Sequence, residues 1–144
     1  MNNVEHPKHY QLSIDLEVLD VINLVLSNEE IYAEDYQKDI SSRDCFYIGN
    51  VLKYLFRADK KNGLEDYKKA LCYLYKISHD LYFERYTYTE RVIINKILET
   101  IKNENVRGII KNAIYLKFRI TKKLLQDYIE EQEKQNEIKK RIWF

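Results

Sequence analysis

Residues 48–77 contain two helical patterns separated by a short turn. This arrangement restricts the possible folds more than any other feature of the sequence. Before the turn, apolar residues recur every three or four positions, as in a helix with one buried face. Asn62-Gly63 is a strong turn signal, and a second apolar series follows it. The two predicted buried faces are Phe46, Ile48, Leu52, Leu55 and Phe56, and then Leu64, Tyr67, Leu71, Leu74 and either Ile77 or Ser78. The stretch therefore predicts a pair of packed helices.

The rest of the chain is also predicted to be helical, because the 144 residues of the chain include only three Gly and one Pro, which rarely occur inside helices. The predicted helices cover residues 13–26, 43–61, 64 to about 83, 90–103 and 104 to about 140. A strand is the alternative for the first, which is rich in β-branched residues. Ser13 and Thr89 are candidate N-caps, and Gly108 is a candidate interruption of the last helix. We expect an all-α helical bundle of about four to five helices with a long C-terminal helix.

Composition narrows the function classes. With a net charge of +1, the chain lacks the strong positive potential that is typical of a nonspecific nucleic-acid binder. Cys45 and Cys72 have no zinc-ligand spacing, and two isolated cysteines fit a reducing cytoplasm. The start of the chain is polar and lacks a signal-peptide pattern. The apolar runs fall short of the roughly 20 residues that cross a membrane, and no glycine-rich phosphate loop occurs.

The helix before the turn has an unusual polar face, formed by Asn50, Lys53, Tyr54, Arg57 and Lys61. Lys53, Arg57 and Lys61 are spaced by four residues, and like charges at this spacing repel by about 0.2–0.5 kcal/mol per pair. An anion bound across the face would offset this repulsion by accepting hydrogen bonds from all three. The alternative is a solvated face with basic residues near a helix C-terminus. Asn50 would contact a base or cap the backbone, and Tyr54 would stack on a base or pack partly into the core.

Two other groups carry candidate chemistry. His6 and His9 lie on an N-terminal arm and would donate to phosphate or act as general acid–base groups, the alternatives being surface histidines or a metal pair. Glu17 and Asp20, three residues apart on a helix, would hold Mg²⁺ or accept a ribose hydroxyl. An acidic surface, or salt bridges to the Lys/Arg helix, is the alternative for them.

Three segments together resemble a known family: "HPKHY" (6–10), "LEVLDVI" (16–22) and "IGNVLKYLFRADKKNGLEDYKKALCYL" (48–74). They are similar to small phage proteins that carry a nucleotide-kinase label and were long a domain of unknown function. The resemblance covers about residues 6–80. It implies an all-helical protein of the bacterial host cytoplasm that acts on nucleoside monophosphates without a Walker loop. Asp59 and Cys72 depart from the family's usual Gly and Trp.

Position by position, the resemblance singles out residues in the arm and the first three helices. They are His9, Tyr10, Glu17, Asp20, Asn50, Lys53, Tyr54, Arg57, Lys60, Lys61, Asp66 and Lys69. For a kinase, Asp20 and Arg57 are the catalytic candidates, and Glu17 with Asp20 would hold Mg²⁺. For Asp66 and Lys69, the sequence favours the alternative that they are simply residues of the first helical turn.

Two functions stay open, and the sequence favours the first. The first is an unconventional nucleoside monophosphate kinase. The second is a non-catalytic phage sponge, needing no cofactor, that sequesters a nucleotide-derived immune signal such as a cyclic dinucleotide or cyclic ADP-ribose. A helix-turn-helix DNA binder is a remote third, so nucleic acid is an unexpected partner. We expect residues 1–83 to form the nucleotide-binding core and residues 84–144 to pack on it as a C-terminal extension. That extension, which ends in Trp143 and Phe144, is predicted to support a homo-oligomer.

Overall fold

The computed structural model describes residues 7–12, 17–27, 32–33, 38–39, 41–77, 81–82 and 86–143. The helices in these ranges are α1 (Val18–Leu26), α2 (Ser42–Arg57), α3 (Leu64–Lys76), α4 (Tyr88–Glu99), α5 (Glu104–Ile114) and α6 (Phe118–Trp143). Two 3₁₀ turns cover Lys8–Tyr10 and Ala58–Lys60. The prediction of an all-α fold with a long C-terminal helix is confirmed, although six helices form within these ranges rather than four or five.

A small antiparallel sheet accompanies the helices. Its two-residue strands are β1 (Tyr32–Ala33), β2 (Lys38–Asp39) and β3 (Leu81–Tyr82), in the order β2-β1-β3. The first two strands lie in the polar segment between α1 and α2. β3 lies in the segment predicted to end the third helix, which instead stops at Lys76.

Several helix ends differ from the predictions because local capping decides them. α1 begins at Val18 after Glu17 rather than near residue 13, and Ser13 lies outside the described residues. α4 begins two residues earlier than predicted, because Thr87 and Glu90 form a capping box. The predicted long helix from residue 104 is divided at residues 115–117, not at Gly108, which lies inside α5.

The core forms where α2 packs against α1, α3 and α5, and where α6 packs against α3 and α5. Ile48, Leu52 and Leu55 of α2 are buried as predicted. Phe46 was predicted to join them, but it is 60% exposed, because it lies on the polar face four residues before Asn50. In α4, Ile94 and Ile97 are buried, whereas Val92 is exposed.

The connection between α2 and α3 determines where the polar face points. Ser41 caps α2 by accepting a hydrogen bond from the Asp44 N–H at 3.1 Å. At the other end, the Gly63 N–H donates to the Ala58 carbonyl at 2.6 Å. Gly63 has φ of 56°, a conformation that favours glycine, and it is the N-cap of α3. The predicted Asn-Gly turn is thus confirmed, and it returns α3 alongside α2.

Within the described ranges, no helix combines the length and the apolar character that a membrane crossing requires.

Candidate functional site

The turn between α2 and α3 brings together a buried ion pair. Arg57 Nε donates to Asp66 Oδ2 at 3.0 Å, and a terminal guanidinium nitrogen of Arg57 donates to Asp66 Oδ1 at 3.1 Å. Asn62 adds a hydrogen bond to Asp66 Oδ1 at 3.3 Å. The other terminal nitrogen of Arg57 donates to the Tyr10 hydroxyl at 3.1 Å. Arg57 therefore fixes the N-terminal arm to the α2–α3 corner.

In the Arg57–Asp66 pair, each side chain stabilises the charged form of the other. Burial alone would raise the pKa of Asp66, but the hydrogen bonds from Arg57 and Asn62 outweigh it, so the pKa lies below its usual value. The hydrogen bond to Asp66 raises the pKa of Arg57 despite its burial. Asp66 is fully buried and Arg57 is 9% exposed. Asp66 is thus more than the first-turn helix residue that the sequence favoured.

Three cations surround the ring of Tyr54. The Lys53 Nζ lies 4.5 Å from the ring centroid, the Arg57 guanidinium carbon 4.7 Å and the Lys69 Nζ 5.5 Å. The negative face of an aromatic ring attracts cations, so Tyr54 holds like charges together that would otherwise separate. We call Lys53, Arg57 and Lys69 around Tyr54 the cation cluster. Base stacking on Tyr54 stays a prediction, and the structure adds that the same ring carries these cations.

The members of the cation cluster are neutralised to different degrees. Arg57 is paired with Asp66, and Lys69 Nζ lies 3.3 Å from the exposed Glu65 carboxylate. Within the ranges that the structure describes, no ion pair involves Lys53. Lys53 is therefore the cation of the cluster with the most capacity for an external anion.

The remaining basic candidates surround the arm. Lys60 Nζ donates to the Gln11 carbonyl at 2.6 Å, so it has a structural partner. His9 packs against Tyr10 with ring centroids 4.1 Å apart. Its pKa is lowered by burial and by the charges of Lys61 and Arg57. Lys61 is exposed, and His6 lies outside the described residues.

Glu17 and Asp20 mark the start of α1. Asp20 Oδ2 accepts a hydrogen bond from the Glu17 backbone N–H at 2.8 Å, as in the reciprocal half of a capping box. This capping role explains the three-residue spacing that had suggested a Mg²⁺ pair. Over the described ranges, no group of three or more His, Cys, Asp or Glu side chains is arranged to hold a metal ion. Asp20 therefore has a capping role, and the binding of Mg²⁺ by Glu17 and Asp20 stays a prediction.

A row of aromatic side chains continues from the cation cluster, and the sequence did not identify it. Tyr73 of α3 stacks on Tyr54 at 5.9 Å between centroids, with 11° between the ring planes. Phe46 meets Tyr73 edge-on at 6.1 Å, and Tyr47 lies 6.1 Å from the same ring. We call Phe46, Tyr47, Tyr73 and Tyr54 the aromatic row. Phe46 precedes Tyr54 by two four-residue steps, a spacing that signals a shared helix face.

Asn50 lies on α2 between Phe46 and Tyr54. Its side-chain nitrogen donates to the Phe46 carbonyl at 2.9 Å. This is the backbone-capping role that the sequence left open, and it leaves the Asn50 side-chain oxygen as an acceptor.

A family model described as a protein of unknown function (DUF3310) matches residues 4–75, half of the chain. The chain belongs to this family. No curated protein and no solved structure matches it significantly. The matched span contains the cation cluster, the aromatic row and the buried ion pair, whereas α4, α5 and α6 lie beyond it.

Two cavities adjoin the family-matched helices. One, of about 240 Å³, lies between the arm, the start of α1 and Lys53 of α2, and Tyr10, Glu17 and Lys53 line it. The other, of about 320 Å³, lies between Leu55 of α2 and the α4–α5 connection, with Lys60 and Asn103 in its lining. The first cavity adjoins the cation cluster through Lys53, and so extends the candidate site toward the arm.

Proposed function

We propose that this protein binds a phosphorylated nucleoside on the α2–α3 face, with the phosphate at Lys53 and Lys69. The observation that carries the proposal is the cation cluster. Three positive groups within 4.5–5.5 Å of one ring centroid form a local positive centre on a chain of net charge +1. A bound phosphate would relieve their repulsion and accept charge-assisted hydrogen bonds from the lysines.

The geometry favours binding over phosphoryl transfer. Phosphoryl transfer needs cations and a metal aligned on the transferred group. Arg57, one catalytic candidate, already donates to Asp66 and Tyr10, and Asp20, the other, caps α1. Lys53 and Lys69 can hold an anion while Arg57 and Asp20 keep these partners. Lys69 has three N–H donors, so its contact with Glu65 leaves it able to bind an anion as well. This arrangement supports the sponge function, in which a nucleotide-derived signal is held and not converted.

Nucleoside monophosphate kinase activity is the second candidate, and one observation favours it. The segment 48–74 resembles the corresponding block of phage proteins that carry the nucleotide-kinase label. A kinase of this kind would bind Mg²⁺ together with its nucleotides, and Glu17 and Asp20 would have to give up part of their capping role to hold it. In either case we place the protein, as a phage product, in the bacterial host cytoplasm.

Calorimetry tests the binding proposal. Wild-type protein would be titrated with deoxynucleoside monophosphates, cyclic dinucleotides and cyclic ADP-ribose isomers, and the tightest ligand would then be titrated into Lys53→Ala. We expect affinity to fall by about 1.5–3 kcal/mol, the scale of a charged hydrogen bond, with unchanged circular dichroism. Lys96→Ala, an exposed cation of α4, is the matched control and should bind like the wild type. Equal affinity in Lys53→Ala and wild type would refute the proposal.

A coupled assay of ADP release separates the two candidates. A tight ligand that is not turned over in the presence of ATP and Mg²⁺ supports the sponge. Turnover that stops on addition of EDTA and falls steeply in Asp20→Asn supports the kinase.

A further inference from the structure

The aromatic row and the cation cluster form one continuous surface with two chemically different ends. Tyr54 belongs to both, since it stacks on Tyr73 and is surrounded by the cations. From this shared ring the row runs through Tyr73 to Phe46. One end of the surface is therefore aromatic and the other is positive.

Phe46 is the outermost member of this row. It is 60% exposed, whereas Tyr47, Tyr54 and Tyr73 are partly buried. Leaving a Phe ring in water has a free-energy cost of about 25 cal/mol per Å² of apolar surface. Its edge-on contact with Tyr73 orients the ring. Phe46 thus offers a fixed and accessible apolar ring next to a positive centre.

The spacing along α2 fits a single nucleotide. Phe46 and Lys53 are seven residues apart, which corresponds to about 10 Å along a helix axis. They lie close to the same face, since seven residues make nearly two helical turns. A nucleotide has the same two-ended chemistry, with an aromatic base and a phosphate separated by one ribose. Asn50, between the two ends, has an acceptor oxygen that a ribose hydroxyl or a base amino group can use.

From this juxtaposition we propose that the ligand lies along α2 with its base stacked on Phe46 and its phosphate at Lys53 and Lys69. This inference rests on the proposed function and adds the orientation of the ligand and the residue that recognises the base. Stacking is tolerant of base identity, because every base has a π face. Phe46 therefore makes the site selective for nucleotides over simple phosphates without choosing strongly among bases.

The test compares ligands with and without a base. Calorimetry would use dAMP, dGMP, dCMP, dTMP and cyclic di-GMP, with ribose 5-phosphate as the base-free probe, on wild type, Phe46→Leu and Phe46→Trp. Phe46→Leu keeps an apolar side chain but removes the ring, and should weaken nucleotide binding by about tenfold or more. It should leave ribose 5-phosphate affinity unchanged. Phe46→Trp should retain nucleotide affinity and add indole fluorescence that the bound base quenches.

Tyr88→Ala is the matched control, because Tyr88 is an aromatic residue of α4 that is 75% exposed and lies outside the row. It should bind every ligand like the wild type. Nucleotide binding that depends on Lys53 but is the same in Phe46→Leu and wild type would overturn this inference and leave the proposed function standing. The same holds if ribose 5-phosphate binds as tightly as the nucleotides. Failure of every base-containing ligand to bind wild type would overturn both.

Discussion

Arg57 shows how one side chain connects the fold to the site. The sequence placed it on an open cationic face, where it would hold phosphate. In the structure it donates to Asp66 and Tyr10, and it also lies against Tyr54. Arg57 therefore contributes charge to the cation cluster while its hydrogen bonds organise the arm and the α2–α3 corner. Lys53 and Lys69 are left as the groups with room for a ligand.

The buried ion pair gives a stability prediction. Asp66→Asn removes the partner of a charge that is 9% exposed, and breaking such a pair costs about 3–5 kcal/mol. Urea denaturation at pH 7 should show a loss of this size. Asp127→Asn, which affects the exposed Lys123 pair at 3.1 Å, is the control and should cost less than about 1 kcal/mol. A loss of under 1 kcal/mol in Asp66→Asn would show that the pair is not a determinant of stability.

The same pair predicts a pH dependence. The pKa of Asp66 is lower in the folded protein than in the unfolded chain. Its stabilisation is therefore fully present above the unfolded value of about 4 and is lost as the pH falls through the lower folded value. The stability difference between wild type and Asp66→Asn should shrink only in that acidic range. A difference that already disappears between pH 7 and pH 5 would contradict this assignment.

At the scale of elements, two glycines are predicted to respond in opposite directions to the same substitution. Gly63 has φ of 56° at the start of α3, whereas Gly108 lies inside α5 with open space around the position of a Cβ. Gly63→Ala should destabilise the protein by about 1–2 kcal/mol through backbone strain. Gly108→Ala should stabilise it by about 0.5–1 kcal/mol through helix propensity. Thermal denaturation of the two variants is the measurement, and a shift in the same direction for both would contradict the structure.

The sequence predicted the α2–α3 pair well, because its two signals are local. Apolar periodicity identified the helices, and Asn62-Gly63 identified the turn. The sequence did not predict the break between α5 and α6, which occurs at Leu116, a residue with φ of 59°. Leucine carries no turn signal, and the conformation is maintained by its burial and by hydrogen bonds such as that from the Lys117 N–H to the Asn112 carbonyl at 2.9 Å.

The candidate site was predictable only in part. The cationic face of α2 follows from helical spacing alone. The Arg57–Asp66 pair joins residues nine apart and depends on the geometry of the turn, which spacing does not supply. Phe46 was counted in the apolar series of the helix, although its four-residue spacing to Asn50 and Tyr54 placed it on the polar face. The side on which α3 packs decides between those two assignments.

For the whole molecule, we propose a homo-oligomer assembled through the end of α6. Ile129 is the last buried residue described in this helix, and Glu133 still pairs with Lys68 at 2.8 Å. Beyond that point, Ile138 and Ile142 are 54% and 70% exposed, and their four-residue spacing puts them on one helix face. A second copy of the chain presents the same face, which allows each to cover the other.

Light scattering coupled to size exclusion tests this assembly. We expect a multiple of the 17.5 kDa chain mass for the full chain. A truncation after Lys134 should give the single-chain mass and keep its helical circular dichroism, because the buried part of α6 remains. A single-chain mass for the full chain would refute the proposal, and an unchanged oligomer after truncation would show that another surface holds it together.

The central claim is that a phosphorylated nucleoside occupies the α2–α3 face. The most direct measurement is the mapping of backbone amide chemical shifts in a ¹⁵N-labelled protein during titration with the tightest nucleotide. We expect shift changes concentrated between Phe46 and Arg57 in α2 and between Leu64 and Tyr73 in α3, with smaller changes around His9 and Tyr10. Saturable changes confined to α4, α5 and α6, or to the cavity beside Asn103, would contradict it.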